Sequence, residues 1–336
     1  MITEKEIVIN TPLNKLRTGK DLILASREYA EEDISKSWMH TLSTLAFMVL
    51  AFIGTFNTIH WSLQLISSLL FSLFMVKFFV IYHDYQHGAI LRKSIAGKYL
   101  MKLFGILILA PSTIWKRSHD HHHHHNSKLT DLGIGSFPLI TKAKFESLNR
   151  KQQKIYLIKR HPITVFSGYF TLFILDFNII SLFRSPAKHW DSIIALLAHV
   201  SLGFLIYNYG GVQALLISWI FPYIFAHGFG SYLFYAQHNF PGAFFVENKD
   251  WDYAEAALKS TSFMVMSPIM NWFTGYIGYH HVHHINHRIP FYRLKEAMRE
   301  MEELQNPTET SLHPKDIYSC LRLKVWDTET HQMVSL

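Results

Sequence analysis

The chain has 336 residues, 49% of them hydrophobic and 15% aromatic, with a net charge of +7 when its 22 histidines are counted neutral. Its one cysteine, Cys320, excludes an internal disulfide and a thiolate metal cage, so any metal site must be built from nitrogen and oxygen ligands. A basic balance suits nucleic acid or an anionic membrane surface; no nucleic-acid motif is present, and the long apolar runs favour the membrane.

Residues 1–37 are mixed and charged, and Met1-Ile2-Thr3-Glu4-Lys5-Glu6 lacks the basic start and apolar core of a cleavable leader. From about 38 to 57 the chain is almost wholly apolar. After the turn Asn57-Thr58-Ile59-His60 it is apolar again over about 61–82. Each run is long enough to cross a bilayer, and together they predict a transmembrane hairpin. Lys15, Arg17, Lys20, Arg27 and Lys36 flank one end, Arg92, Lys93 and Lys98 the other, and the turn between carries neither Lys nor Arg. Both flanks are therefore expected on the cytoplasmic side.

His83-Asp84-Tyr85-Gln86-His87-Gly88 stands where the second span ends. Residues 95–114 are apolar but carry Lys98 and Lys102 and close at Pro111, which predicts an interfacial or re-entrant helix. The run Trp115 to Lys128 follows, with six histidines. Next comes a basic stretch at Lys142, Lys144, Arg150, Lys151, Lys154, Lys159 and Arg160, read as a cytoplasmic, membrane-proximal surface.

Three apolar stretches remain, at about 161–183, 192–209 and 212–235. If the histidines before and after them meet, an even number of crossings lies between. Asp176 and Asn178 place 161–183 in the interface, because polar groups at membrane depth are costly. The spans are then 192–209 and 212–235, turning at Tyr207-Asn208-Tyr209-Gly210-Gly211, with Pro222, Gly228 and Gly230 as candidate kinks. A polar region with a helix at about 291–304 ends the chain. No linker or repeat divides residues 1–336, which read as one domain: four transmembrane helices in two hairpins, with a cytoplasmic helical cap from 83–160 and 236–336.

The chemistry lies in the histidine spacing. His119-x-x-His122-His123 recurs as His280-x-x-His283-His284, and the helical pair His83 and His87 precedes both. Residues three and four apart share a helix face, so each triplet is expected to aim three imidazoles at one point. A lone run would be a loose metal-buffering tract; repetition argues for a built site. His238 follows the last span at the depth where His83 leaves the second.

These motifs, with Gln237-His238, Trp251-Asp252-Tyr253, Trp272-Phe273-Thr274-Gly275, Gly278-Tyr279-His280 and Arg288-Ile289-Pro290, resemble the membrane fatty acid desaturase superfamily, in particular bacterial acyl-lipid desaturases. The likeness runs from the first hairpin to about residue 300. It implies an all-α integral membrane fold and a di-iron centre held by nine histidines: His83, His87, His119, His122, His123, His238, His280, His283 and His284. It implies a catalytic role for these residues through the metals, with two iron ions as cofactor and O2 as co-substrate. Electrons would come from a separate ferredoxin or cytochrome b5-type donor. The substrate would be an acyl lipid, the product a cis double bond, and the site would face the cytoplasm at a bacterial inner membrane. Asp84 and Asp120 are candidates to accept the second N–H of ligand imidazoles, and His125 to stand behind them. His121, His124 and His281 lie off the register. The chain departs from the family at Asn239-Phe240-Pro241-Gly242, where acyl-lipid members often carry an acidic residue.

The chemistry accounts for such a ligand set. An unactivated methylene C–H bond is beyond acid–base catalysis and calls for a redox metal with O2. Neutral imidazoles suit iron. A related di-iron hydroxylase or ketolase acting on an alkane, sterol or carotenoid would share the boxes, and product analysis separates it. A metal transporter with a histidine-rich loop would need ionisable ligands within its spans, which hold Lys77 but no acidic pair. A zinc hydrolase would need only three ligands and an open position.

Overall fold

A computed structural model describes residues 16–57, 59–129 and 135–336. Lys15 and the Met1–Glu6 start, Thr58 of the outer turn and the cap residues at 130–134 lie outside the described residues.

After α1 (Gly19–Ala25) comes α2 (Ile34–Gly54), capped by the Asp33 side chain, which accepts from the Lys36 N–H. Next is α3 (Trp61–His87), and Phe47 stacks on Phe74 where the two helices pack. Gly88, at φ 69°, ends α3 directly after His87, a left-handed position that glycine fills without strain. Nearly three turns before that end, Lys77 is buried over the Trp272 ring, its nitrogen 3.0 Å from the centroid. Helices α4 (Ile95–Leu107) and α5 (Ser112–His125) meet at 91°. The stretch expected to be an interfacial or re-entrant helix is thus two pieces with a sharp bend between them. Pro111 caps the second, and Tyr82 donates to the Ala110 carbonyl at 2.7 Å to hold the corner.

Helices α6 (Lys142–Ser147), α7 (Arg150–Lys159) and α8 (Pro162–Phe166) lead to a π-helical stretch, Tyr169–Ile180, and to α9 (Ser181–Arg184). Then α10 (Asp191–Leu215) breaks at Gly211, φ 71° and ψ −166°, and passes through π-helical Leu216–Ile220 into α11 (Phe221–Ala236). The chain reverses at that break. His199 lies 5.0 Å from Trp219 and 4.7 Å from Tyr223 between ring centroids. A straight helix would hold residues so far apart in sequence about 30 Å apart. Gly228 does not kink α11; it lets the Phe166 carbonyl of α8 approach closely.

Three stretches among the described residues are long and apolar enough to cross a membrane: Ile34–Gly54, Trp61–His87 and Asp191–Ala236. The bent α4–α5 pair would make a fourth if it counts as one span. Ile53, Leu197, Val200 and Phe204 point outward, as lipid contact requires, while the second half of α3 is buried.

The remaining helices are short: α12 (Tyr253–Lys259), α13 (Pro268–Phe273), α14 (His280–Ile285), α15 (Leu294–Glu300) and α16 (Pro314–Arg322). The helix expected over 291–304 is α15 with a 3-10 turn at either side. Two small sheets were not foreseen. Strands β1 (Phe263–Val265) and β2 (Glu309–Ser311) pair in parallel, Met264 opposite Thr310; β3 (Val325–Asp327) and β4 (Gln332–Val334) pair antiparallel, Trp326 opposite Met333.

Candidate metal centre

The ends of α3, α5 and α11 and the whole of α14 converge on one buried layer. Nine histidines meet there in two groups, with the candidate ligand atoms of each group within 4.8 Å of one another. One group is His83, His87, His119, His123 and His283; the other is His122, His238, His280 and His284. These are the nine positions that the boxes and His238 single out.

The spacing predicted one focus per triplet, and the structure divides each triplet instead. On α5, His119 and His123 serve the first group and His122 the second; on α14, His280 and His284 serve the second and His283 the first. Residues four apart lie on one face, whereas neighbours point about 100° apart. The doubled His-His of each box therefore sends one ring each way. The groups adjoin, with the rings of His123 and His284 4.2 Å apart.

The Nε2 atoms crowd together. His238 Nε2 is 3.0 Å from His122 Nε2 and 2.8 Å from His280 Nε2; His123 Nε2 is 3.1 Å from both His119 Nε2 and His283 Nε2. Meanwhile His238 Nδ1 donates to the Ser260 carbonyl at 3.3 Å. A neutral imidazole has one N–H, so the Nε2 of His238 carries a lone pair. The Nε2 atoms of His87 and His284 are buried without a hydrogen-bond partner. Ligands at right angles with bonds of about 2.1 Å stand about 3.0 Å apart, so these lone pairs are spaced as a shared cation would space them. The histidine clusters fit a metal site.

Burial first, then the neighbouring imidazoles, holds His280, His283 and His284 well below the usual histidine range, and burial lowers His238 to about 3. The rings are thus neutral near pH 7, the form that binds metal.

Supporting contacts fix several rings. His83 Nδ1 donates to Asp84 Oδ1 at 3.0 Å, and Asp84 Oδ2 accepts from the Phe291 N–H at 2.6 Å. His122 Nδ1 lies 2.6 Å from Ser136 Oγ, and Trp115 stacks on His119 at 4.5 Å. A cavity of about 30 Å³ borders His122 and His238 beside Phe234 and Arg160. By contrast, Asp120 pairs with Lys116 at 2.7 Å on the outer side of α5. His125 stacks on His121 at 3.9 Å and meets its carbonyl. His281, also buried, turns to the Leu304 carbonyl at 3.0 Å.

Sequence reasoning missed Ser136, the Ser260 carbonyl and His287. The His287 ring sits 4.6 Å from that of His87. Its spacing, three after His284, was the available signal.

The profile of the fatty acid desaturase family matches residues 59–314. The chain belongs to the fatty acid desaturase family. It is 27% identical over 319 residues to a fatty acid desaturase of Bacillus subtilis (strain 168), an alignment covering 94% of this chain and 90% of the relative. It is 24% identical over 260 residues to the sn-1 oleoyl-lipid 12-desaturase of Synechocystis sp. (strain ATCC 27184 / PCC 6803 / Kazusa), covering 75% and 73%. The protein is a membrane-bound fatty acid desaturase, an oxidoreductase whose apolar helices carry a histidine cluster able to bind metal.

Proposed function

We propose that the enzyme desaturates acyl chains of membrane lipids at a di-iron centre. The observation that carries this reading is the partition of nine histidines, eight of them buried and His238 half-buried, into adjoining groups of five and four. Two metals side by side supply the two-electron oxidising power that a methylene dehydrogenation needs. The balance is –CH2–CH2– + O2 + 2 e⁻ + 2 H⁺ → –CH=CH– + 2 H2O, with the electrons from a separate ferredoxin or cytochrome b5-type donor. The Synechocystis relative is named for an acyl-lipid substrate, which supports the same class here.

In this reading all nine histidines are ligands. His83, His87, His119, His123 and His283 hold one iron, and His122, His238, His280 and His284 the other. Asp84, Ser136 and the Ser260 carbonyl take or orient the Nδ1 protons, which turns the Nε2 lone pairs inward. Eight of the nine are buried, and Phe234, which borders the cavity at His122 and His238, supplies an apolar wall against which an alkyl chain can lie.

The chain would act as one domain in a bacterial inner membrane. The pairs α2–α3 and α10–α11 form two transmembrane hairpins, and α5, α14 and the residues after α11 form a cap on the cytoplasmic side. Expression in a bacterium without desaturases, followed by mass spectrometry of its lipids, tests the reading. New mono-unsaturated chains are expected, with about two irons per purified chain. Hydroxylated or ketone products, or activity with zinc alone, would overturn it.

A further inference from the structure

The outward side of α7 combines charge and apolar surface in a way that the desaturation site does not use. Arg150, Lys151 and Lys154 are exposed, and none enters an ion pair formed among the described residues. Arg150 and Lys154 are four apart, a like-charge spacing that disfavours a helix, and the first turn holds no acidic residue. Beside them Ile155 is 46% and Ile158 53% exposed. A shallow groove of about 450 Å³ runs along Arg150, Lys154, Leu157 and Ile158 to His161.

The depth of this helix is fixed at its far end. The buried Arg160 guanidinium donates to Tyr235 Oη at 3.2 Å and to Asn239 Oδ1, which tie it to the end of α11. Six residues further on, at the end of α8, Phe166 stacks on Tyr232 at 5.2 Å, and its carbonyl packs against Gly228 inside that apolar helix. There Ile163 is 69% exposed. Helix α8 therefore flanks the apolar body of α11, and α7 lies level with the end of it. Cations beside outward isoleucines at that level are the make-up of a helix lying on an anionic bilayer.

We propose that α7 docks on anionic phospholipid headgroups. Arg150 and Lys154 bind the phosphate over the groove, Lys151 adds charge beside them, and Ile155 and Ile158 enter the boundary with the acyl chains. This needs the membrane but neither the metals nor the reaction.

Hydrogen exchange on the full-length, iron-loaded protein tests it, in nanodiscs of phosphatidylcholine alone or mixed with phosphatidylglycerol. Amides of 150–159 should exchange more slowly with phosphatidylglycerol, by about fivefold for each contributing cation. High salt should reverse the slowing. The triple variant Arg150→Gln, Lys151→Gln, Lys154→Gln should lose it while α11 exchange and iron content stay unchanged. If that variant inserts poorly, Lys154→Gln alone should show a partial loss. Exchange indifferent to phosphatidylglycerol, or slowed equally in the variants, would overturn the proposal. So would slowing by an acidic soluble protein in phosphatidylcholine discs with none from phosphatidylglycerol.

Discussion

Asp84 holds His83 Nδ1 at 3.0 Å through one carboxylate oxygen and the Phe291 N–H at 2.6 Å through the other. One side chain thus couples the end of α3 to the segment behind α14, and both partners are donors. Asn in its place keeps a single acceptor oxygen, so either His83 or Phe291 faces an N–H instead. Asp84→Asn is expected to weaken iron binding by about 10–100-fold. Titration with limiting iron measures this, and an unchanged affinity would remove Asp84 from the role.

His238 completes the group of four from outside the boxes, and His227 is its control. The two differ in what their nitrogens meet. His238 Nε2 faces two other imidazole nitrogens. His227 Nδ1 and Nε2 instead face the Tyr223 and Ile108 carbonyls, at 2.8 and 2.9 Å. His238→Gln should lower iron content to about one per chain and abolish double-bond formation. His227→Gln should keep both irons, with a stability loss of about 1–3 kcal/mol for unpaired carbonyls. Full iron content in purified His238→Gln would sink the ligand assignment.

How much of this was written in the sequence depends on the type of signal. The boxes were legible because ligand chemistry restricts residue type and a helix restricts spacing. The split of each triplet was not, since i, i+3 and i, i+4 spacings are compatible with one focus or two; only the facing elements decide. Asp84 and Asp120 looked equivalent as residues next to a ligand. Asp84 is enclosed by the segment at Phe291, whereas Asp120 lies on the open side of α5 with Lys116 in reach. The long apolar runs gave Trp61–His87 its start, but its last turn carries polar residues that hydropathy discounts. The small sheets depend on pairing between segments far apart, such as Phe263 with Glu309, which no local pattern announces.

Gly228 was a candidate kink, and its use is close packing. A Cβ there would strike the Phe166 carbonyl of α8, while at Gly230 it would meet nothing within 4 Å. Gly228→Ala should destabilise the protein by about 1–3 kcal/mol through overpacking. Gly230→Ala should be neutral or slightly stabilising, as an alanine suits a helix better. Thermal unfolding in detergent compares the two; equal midpoints would contradict the close approach.

If the cap is cytoplasmic, single cysteines will report it cleanly, because the native Cys320 is buried. Asn208→Cys, exposed at the reversal of α10, should react with an impermeant maleimide added outside spheroplasts. Arg288→Cys and Lys142→Cys, both exposed, should react only after lysis. Labelling of Arg288→Cys from outside would invert the topology.

Arg17 and Glu303 join the start of the described chain to the segment after α15. Arg17 Nε lies 2.7 Å from one carboxylate oxygen and Nη2 2.9 Å from the other, and the backbone N–H adds a third contact at 2.9 Å. The guanidinium holds the Glu303 carboxyl down at about 2. An unfolded Glu titrates near 4.3. The folded state therefore favours the charged form, and the contribution is fully present above about pH 5 and lost as pH falls through about 2. Arg17 is 45% exposed, so the pair is worth about 1 kcal/mol or less. Glu303→Gln should accordingly unfold slightly earlier than the parent at pH 7, and the two midpoints should converge as pH drops from 5 towards 2. A gap that widened on acidification would mean that Glu303 is stabilised in its protonated form, contrary to the bidentate geometry.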